Sequence, residues 1–201
     1  MSESAPPEWK AWVETGVRNA LQAEPVIQYR TPEQQTPAAG RDADLVACIY
    51  DYFKDEPHAF EPCAAKLATM MDANIHVETI TRPSVDGGRD AIGAYRLGPA
   101  TDRIALGFAL EAKCYAAGNG VGVKELSRLI WRLRHREFGI LVTTSFLGRQ
   151  AYEELRSDRH PVIVIAGADI AAILLHTPGL STAEAVTVWL RTSFPKASED
   201  D

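Results

Sequence analysis

The pattern in this chain that could do chemistry is an acid after a glycine-rich turn, followed by an acid and a lysine two positions apart. The residues are Asp90, Glu111 and Lys113. Residues i and i+2 of a β-strand project from the same face, so Glu111 and Lys113 would lie together if their surroundings form a strand. A hairpin could return Asp90 beside them. Charges on an interior strand are costly to bury without a purpose, and a divalent metal would supply one.

Mg²⁺ prefers oxygen ligands and is commonly held by one or two carboxylates together with substrate phosphate. Asp90 and Glu111 could supply the carboxylates, the carbonyl of Ala112 a third oxygen, and Lys113 could hold a water in line with phosphorus. This pattern therefore suggests magnesium-dependent attack on a phosphate ester. The alternative is a surface salt bridge between Glu111 and Lys113, because E-x-K is common and such pairs are weak. Apolar flanking residues favour an interior strand: Phe108, Leu110 and Cys114.

The composition indicates one soluble core domain, with room for a small helical extension. The chain has 201 residues and a formal net charge of -6, and its apolar content is ordinary. An acidic balance gives no global signal for nucleic-acid binding, so DNA would have to meet a local patch. We find no secretory leader at the start and no apolar stretch long enough to cross a bilayer. The three cysteines are widely spaced, predict neither a disulfide framework nor a zinc site, and suit a reducing cytoplasm: Cys48, Cys63 and Cys114.

The N-terminal part is predicted to be helical. A first helix begins near Pro7, and its Trp9 and Trp12 are expected to pack internally or at an interface rather than to stack on bases. The stretch Thr31–Arg41 is rich in Pro, Gln and Gly and indicates a flexible connector. A second helix follows over about 42–53.

Hydrophobic periodicity divides the rest of the chain into strands and helices. Strands are predicted near 75–80, 91–97, 104–114, 140–144 and 162–165, and helices over about 60–71, 121–137, 148–156, 168–175 and 182–194. The segment Pro99–Asp102 is typical of a hairpin connection. Strands that alternate with helices predict a parallel or mixed sheet covered on its faces.

One predicted helix, over 121–137, carries local positive charge. Lys124, Arg128 and Arg132 recur at every fourth position, and Arg136 continues this ridge beside an apolar face. Such a ridge is often only a solvated helix face. Because it directly follows the strand with Glu111, we predict that Lys124, Arg128 and Arg132 contact DNA phosphates. The apolar face is predicted to consist of Val123, Leu126, Ile130 and Leu133.

Taken in order, these motifs resemble the Mrr-like branch of the PD-(D/E)xK nuclease superfamily, and restriction endonuclease catalytic domains in particular. The resemblance covers roughly residues 60–175. The matching segments are DGGRD at 86–90, EAK at 111–113, VGVKE at 121–125, GILVTTSF at 139–146 and VIVIAGADI at 162–170. E-x-K alone is a weak signal, but the ordered set is fairly specific.

The resemblance implies an α/β fold: a restriction-endonuclease-like mixed sheet flanked by helices, with an N-terminal helical extension. It also implies Mg²⁺-dependent hydrolysis of DNA. Asp90 and Glu111 take the family's two acidic metal-binding positions, Lys113 takes the catalytic lysine, and Glu61 matches a helix glutamate near the metal. A glutamate at a helix start also has a simpler explanation in the helix dipole. Arg89 stands where the superfamily name has proline, a departure common in this branch.

The chain is therefore divided into an N-terminal extension and linker (1–56), a nuclease core (57–178) and a C-terminal helix with a polar tail (179–201). The presence of Asp90, Glu111 and Lys113 favours an active endonuclease of restriction type. A catalytically silent DNA-binding or assembly subunit and a repair or junction nuclease stay open. Since one such site cuts one strand at a time, a homodimer formed through the aromatic-rich N-terminal helices is expected. These helices show no base-reading motif, so they predict no recognition sequence.

Overall fold

The structure is a computed structural model and describes residues 29–80, 91–133 and 138–196. Some of the predictions above fall outside these residues and stay predictions. They concern the first helix with Trp9 and Trp12, the glycine-rich turn before Asp90, Asp90 itself, the continuation of the basic ridge at Arg136 and the polar tail from residue 197 onward.

Five strands form one mixed sheet in the described part of the chain. They are β1 (Ile75–Ile80), β2 (Ala91–Leu97), β3 (Ile104–Lys113), β4 (Phe138–Thr143) and β5 (Val162–Ile165). Their order in the sheet follows the chain, so β3 lies at the centre. Strands β1, β2 and β3 pair antiparallel, whereas β4 and β5 continue the sheet in parallel. The predicted hairpin at Pro99–Asp102 joins β2 to β3, and Asp102 N donates to Pro99 O at 3.0 Å.

Helices cover both faces of this sheet, which confirms the predicted α/β fold. The described helices are α1 (Pro32–Gln35), α2 (Arg41–Phe53), α3 (Phe60–Met71), α4 (Val123–Arg132), α5 (Arg149–Ser157), α6 (Gly167–His176) and α7 (Ala183–Ser193). A 3₁₀ turn, Pro57–Ala59, precedes α3. The predicted bounds of α3, β2 and β5 agree with these.

Strand β3 separates two hydrophobic layers. Its Phe108 and Leu110 pack in a layer with α2, α3, α6 and α7, whereas Ala109 packs in a layer with α4 and α5. Because side chains alternate along a strand, positions 111 and 113 belong to the α4–α5 face. Helix α4 buries Leu126 and Leu129 against this face. Leu129 was absent from the predicted apolar face, whose other members are half-buried: Val123, Ile130 and Leu133.

The prediction of a flexible connector over Thr31–Arg41 is wrong for its first half, which is folded. The Thr31 hydroxyl accepts a hydrogen bond from Gln34 N at 3.3 Å, and Thr31 N donates to Gln34 Oε1 at 2.9 Å. This capping box starts α1. Gln35 is fully buried. Its Nε2 donates to Leu147 O at 3.2 Å, and its Oε1 accepts from Leu147 N at 2.9 Å, so its amide ties α1 to the loop after β4.

Two arginines occupy the outer edge of β5. Arg30 Nη2 donates to Val164 O at 2.8 Å, and its Nη1 lies 2.8 and 2.9 Å from the two carboxylate oxygens of Asp169. Arg156 Nη1 donates to Val162 O at 3.3 Å. An edge strand otherwise presents a row of unpaired backbone groups. Side chains therefore satisfy the outward carbonyls at this edge.

Replacing Gln35 with leucine is expected to lower the free energy of unfolding by about 1–3 kcal/mol, because the N–H and C=O of Leu147 lose their partner in a buried place. Urea unfolding followed by circular dichroism measures the change. The matched control is Gln150→Leu, since Gln150 is exposed and hydrogen-bonds to an exposed glutamate on α5. Equal, small changes in the two variants would contradict a structural role for Gln35.

Candidate active site

Strand β3 carries Glu111 and Lys113 at its C-terminal end, between β2 and β4. Glu111 is paired with Leu141 and Lys113 with Thr143 of β4. Glu111 is only 1 % exposed, and the Lys113 side chain is 16 % exposed. This burial does not agree with the alternative of a surface salt bridge between them.

Three groups of β3 converge on one point. Lys113 Nζ donates to Glu111 Oε1 at 2.7 Å and to the carbonyl oxygen of Ala112 at 3.0 Å. The two side chains meet because i and i+2 share a face of the strand. A carboxylate oxygen and a carbonyl oxygen are thus both directed at one positive charge.

The described register brings the start of β2 next to this point. Ala91 is the first residue of β2 and pairs with Leu110, the chain neighbour of Glu111. Asp90 precedes Ala91 in the chain but lies outside the described residues. Its approach to Glu111 stays a prediction, which the pairing of Ala91 with Leu110 favours.

The end of β4 holds the backbone that follows Lys113. Thr144 N donates to Lys113 O at 3.3 Å. The buried Thr144 hydroxyl accepts from Tyr115 N at 2.9 Å and donates to Tyr115 O at 2.7 Å. This hydroxyl continues the pairing of β3 with β4 beyond the last residue of each strand. Thr144 lies in the GILVTTSF motif at 139–146, but no spacing in the sequence predicts this contact.

Glu61 lies in the first turn of α3, on the layer opposite to the α4–α5 face. Its side chain is 11 % exposed, and its Oε1 lies 3.2 Å from Nδ1 of His58. His58 was not predicted to take part. The burial of Glu61 is unusual for a carboxylate, but the contact described for it is within its own helical turn rather than with β3.

Helix α4 places two of the predicted cationic residues at the surface. Lys124 and Arg128 are exposed, whereas the side chain of Arg132 lies outside the described residues. Leu126 and Leu129 pack on the sheet face that also bears Glu111 and Lys113. Lys124 and Arg128 therefore lie on the outer side of a helix that covers this face.

No group of three or more His, Cys, Asp or Glu side chains that could hold a metal is found in residues 29–80, 91–133 and 138–196. The donors on β3 nevertheless fit a hard cation, because the Glu111 carboxylate and the Ala112 carbonyl are oxygen ligands already directed at a positive charge. Burial raises the pKa of the neighbouring Cys114 thiol to about 11. Cys114 packs in the hydrophobic layer with Phe108 and Leu110, away from the face that bears Glu111 and Lys113.

A central buried strand with an acid-x-lysine pair, in a mixed sheet flanked by helices, defines the class of restriction-endonuclease-like nuclease folds. A comparison with family models supports this class, since the restriction endonuclease family of the Mrr catalytic-domain type matches residues 54–174. The chain belongs to this family.

Solved structures of restriction endonucleases are similar to this chain. The DNA modification-dependent restriction endonuclease AspBHI is 44 % identical with a TM-score of 0.76, and the match covers 96 % of this chain and 49 % of AspBHI. The MspJI restriction endonuclease in complex with a 27-mer oligonucleotide is 26 % identical with a TM-score of 0.70, and the match covers 94 % of this chain and 45 % of MspJI. The chain thus spans about half the length of each. A search of curated proteins gave no match.

The described part of the chain contains no helix that is both long and apolar enough to span a bilayer.

Proposed function

We propose that this chain is a restriction-type endonuclease domain that hydrolyses phosphodiester bonds of DNA with Mg²⁺. The observation that carries the proposal is the buried pair of Glu111 and Lys113, whose ammonium also contacts the Ala112 carbonyl. Membership of the restriction endonuclease family gives this arrangement its chemical context. A nuclease fold alone would not assign activity, because function depends on the site.

The residues of the proposed site have distinct roles. Asp90, Glu111 and the carbonyl of Ala112 would hold the ion. Glu61 is proposed as a further carboxylate near it on the family resemblance alone, since its described contact is with His58 in its own helical turn. When bound, a divalent ion lowers the pKa of the attacking water and stabilises charge on phosphate oxygens. Lys113 offers its ammonium to the negative charge that develops on the phosphate, in a place where little water competes for it.

The proposal extends to partners and compartment. DNA is the proposed partner, with Lys124, Arg128 and Arg132 on its phosphates. The oligonucleotide in the MspJI structure supports this choice. A homodimer would supply the second site that a double-strand cut needs. The cytoplasm is the proposed location, since both Cys63 and Cys114 are buried free thiols.

Purified protein is expected to cut plasmid DNA with Mg²⁺ and to leave it uncut with EDTA. Gel electrophoresis of methylated and unmethylated plasmid measures activity, metal need and any preference for modified DNA together. Light scattering on the same samples tests the homodimer: a monomer that yields nicked but never linear plasmid would rule it out. DNA binding without cleavage under all these conditions would refute the nuclease and favour a silent subunit.

A further inference from the structure

Helix α4 presents an exposed stripe, which consists of Lys124, Ser127, Arg128 and Trp131. The spacing i, i+3, i+4 and i+7 puts these four residues on one side of the helix. The opposite side is buried through Leu126 and Leu129. The four residues therefore form one continuous surface, and the packing of Leu126 and Leu129 holds the helix that carries them in place.

Trp131 is the unusual member of the stripe. It is 70 % exposed, the largest exposed fraction among the large hydrophobic residues that the structure describes. An exposed indole leaves a large apolar surface in water, and tryptophan is favoured where one end meets an apolar partner and the other stays wet. Covering the sheet does not require tryptophan here, because most of this side chain lies in solvent.

The charge of the stripe favours a polyanion. Lys124 and Arg128 give it two positive charges in a chain whose formal net charge is -6. The one acid in the described part of this helix, Glu125, is half-buried, and a Cβ placed on Gly122 would lie 3.1 Å from its Oε2. The Glu125 carboxylate therefore turns towards the start of the helix. The Ser127 hydroxyl is uncharged and donates to Val123 O at 2.8 Å within the helix.

The stripe is also placed to meet DNA at the proposed site. Its helix begins ten residues after Lys113 and packs on the same sheet face, in a layer with Ala109 and Leu141. Lys124 lies in the first turn of α4, and Trp131 lies about 10 Å farther along the helix axis. A strand of DNA with one phosphate at the site could therefore follow the stripe over neighbouring nucleotides.

We propose that the stripe is a DNA-binding surface with two kinds of contact. Lys124 and Arg128 contact phosphates, and the Trp131 indole packs on the sugar and base of a nearby nucleotide. This inference rests on the proposed function, and it adds a residue that charge alone would not select. Aromatic contacts to nucleotides depend little on sequence, because every base has an apolar face.

The test separates the two contacts by their dependence on salt. Binding of the full chain to a fluorescent DNA duplex is measured in EDTA, so that no cleavage is needed. Trp131→Ala is expected to weaken binding about 10-fold at every salt concentration, and Trp131→Phe to keep most of the affinity. The Lys124→Ala/Arg128→Ala variant is expected to bind more weakly. The slope of log K against log salt should become shallower by about 2, because the loss of two phosphate contacts means that fewer counterions are released on binding.

Val188→Ala is the matched control, because Val188 is 64 % exposed on α7, outside the stripe. It is expected to bind DNA as the unchanged protein does. Unchanged affinity of Trp131→Ala would overturn the inference. So would a dimer that dissociates in Trp131→Ala without DNA, since a second copy would then be the partner. If binding depends on Trp131 but the protein cuts no DNA, this inference stands and the proposed nuclease activity is refuted. If the protein cuts DNA but Trp131→Ala binds it with unchanged affinity, the nuclease activity stands and this inference is refuted.

Discussion

Cleavage of DNA is expected to fall at least about 100-fold when Lys113 is replaced with methionine. Methionine keeps an unbranched apolar chain but removes the ammonium that lies 2.7 Å from Glu111 Oε1 and 3.0 Å from the Ala112 carbonyl. The proposed transition state then loses a positive charge that is held in place before the reaction. Initial rates on supercoiled plasmid with Mg²⁺ measure the loss. Asp90→Ala and Glu111→Ala are expected to lose at least as much, because they remove proposed ligands.

Lys66→Met is the control for this prediction. Lys66 is an exposed residue of α3, so the same change of side chain removes a charge away from β3 and is expected to leave the rate unchanged. Circular dichroism shows whether each variant is folded at the assay temperature. A folded Lys113→Met protein that cuts at the original rate would exclude Lys113 from the reaction.

A second large effect is expected on stability. In EDTA, Lys113→Met should lower the free energy of unfolding by about 3 kcal/mol, because the carboxylate of Glu111 stays buried after the cation next to it is lost. Glu111→Gln/Lys113→Met should recover most of that loss, since it takes the charge away from both positions. Urea unfolding of the two single variants and the double variant gives the coupling energy between the side chains.

The double variant also separates folding from chemistry. It is expected to be nearly as stable as the original protein and yet inactive, which assigns the loss of activity to the missing groups rather than to unfolding. Losses of stability that simply add up would mean that the contact between Glu111 and Lys113 contributes nothing. In that case the pair would have to be explained by function alone.

The sheet was predictable because its signals are local. The turn at Pro99–Asp102 and the apolar runs on either side of it predict the bounds of β2 closely. The four residues of Val162–Ile165 are all β-branched and therefore favour a strand. The shared face of Glu111 and Lys113 follows from the two-residue period of a strand alone. These inferences needed no knowledge of which elements touch.

Contacts between distant segments could not be predicted in this way. Gln35 forms hydrogen bonds with Leu147, which is 112 positions away. The residues around Gln35 in the sequence give no sign of this contact, and their Pro, Gln and Gly content indicates a flexible connector instead. The Thr144 hydroxyl reaches Tyr115 across the end of two parallel strands, and a threonine after an apolar run gives no sign of this. No prediction was made for Trp131 from the sequence, and its exposure became known only from the structure.

Growth of the sheet by an additional strand is obstructed at β5. A second copy of the chain, or a partly unfolded one, would have to displace two guanidinium groups from the carbonyls of Val162 and Val164 before it could pair there. One of these groups belongs to Arg30, 134 positions before its acceptor. Resistance to fibril-like stacking at this edge therefore depends on a segment far away in the chain. Proteolysis that removed residue 30 would leave the Val164 carbonyl open as a template for aggregation.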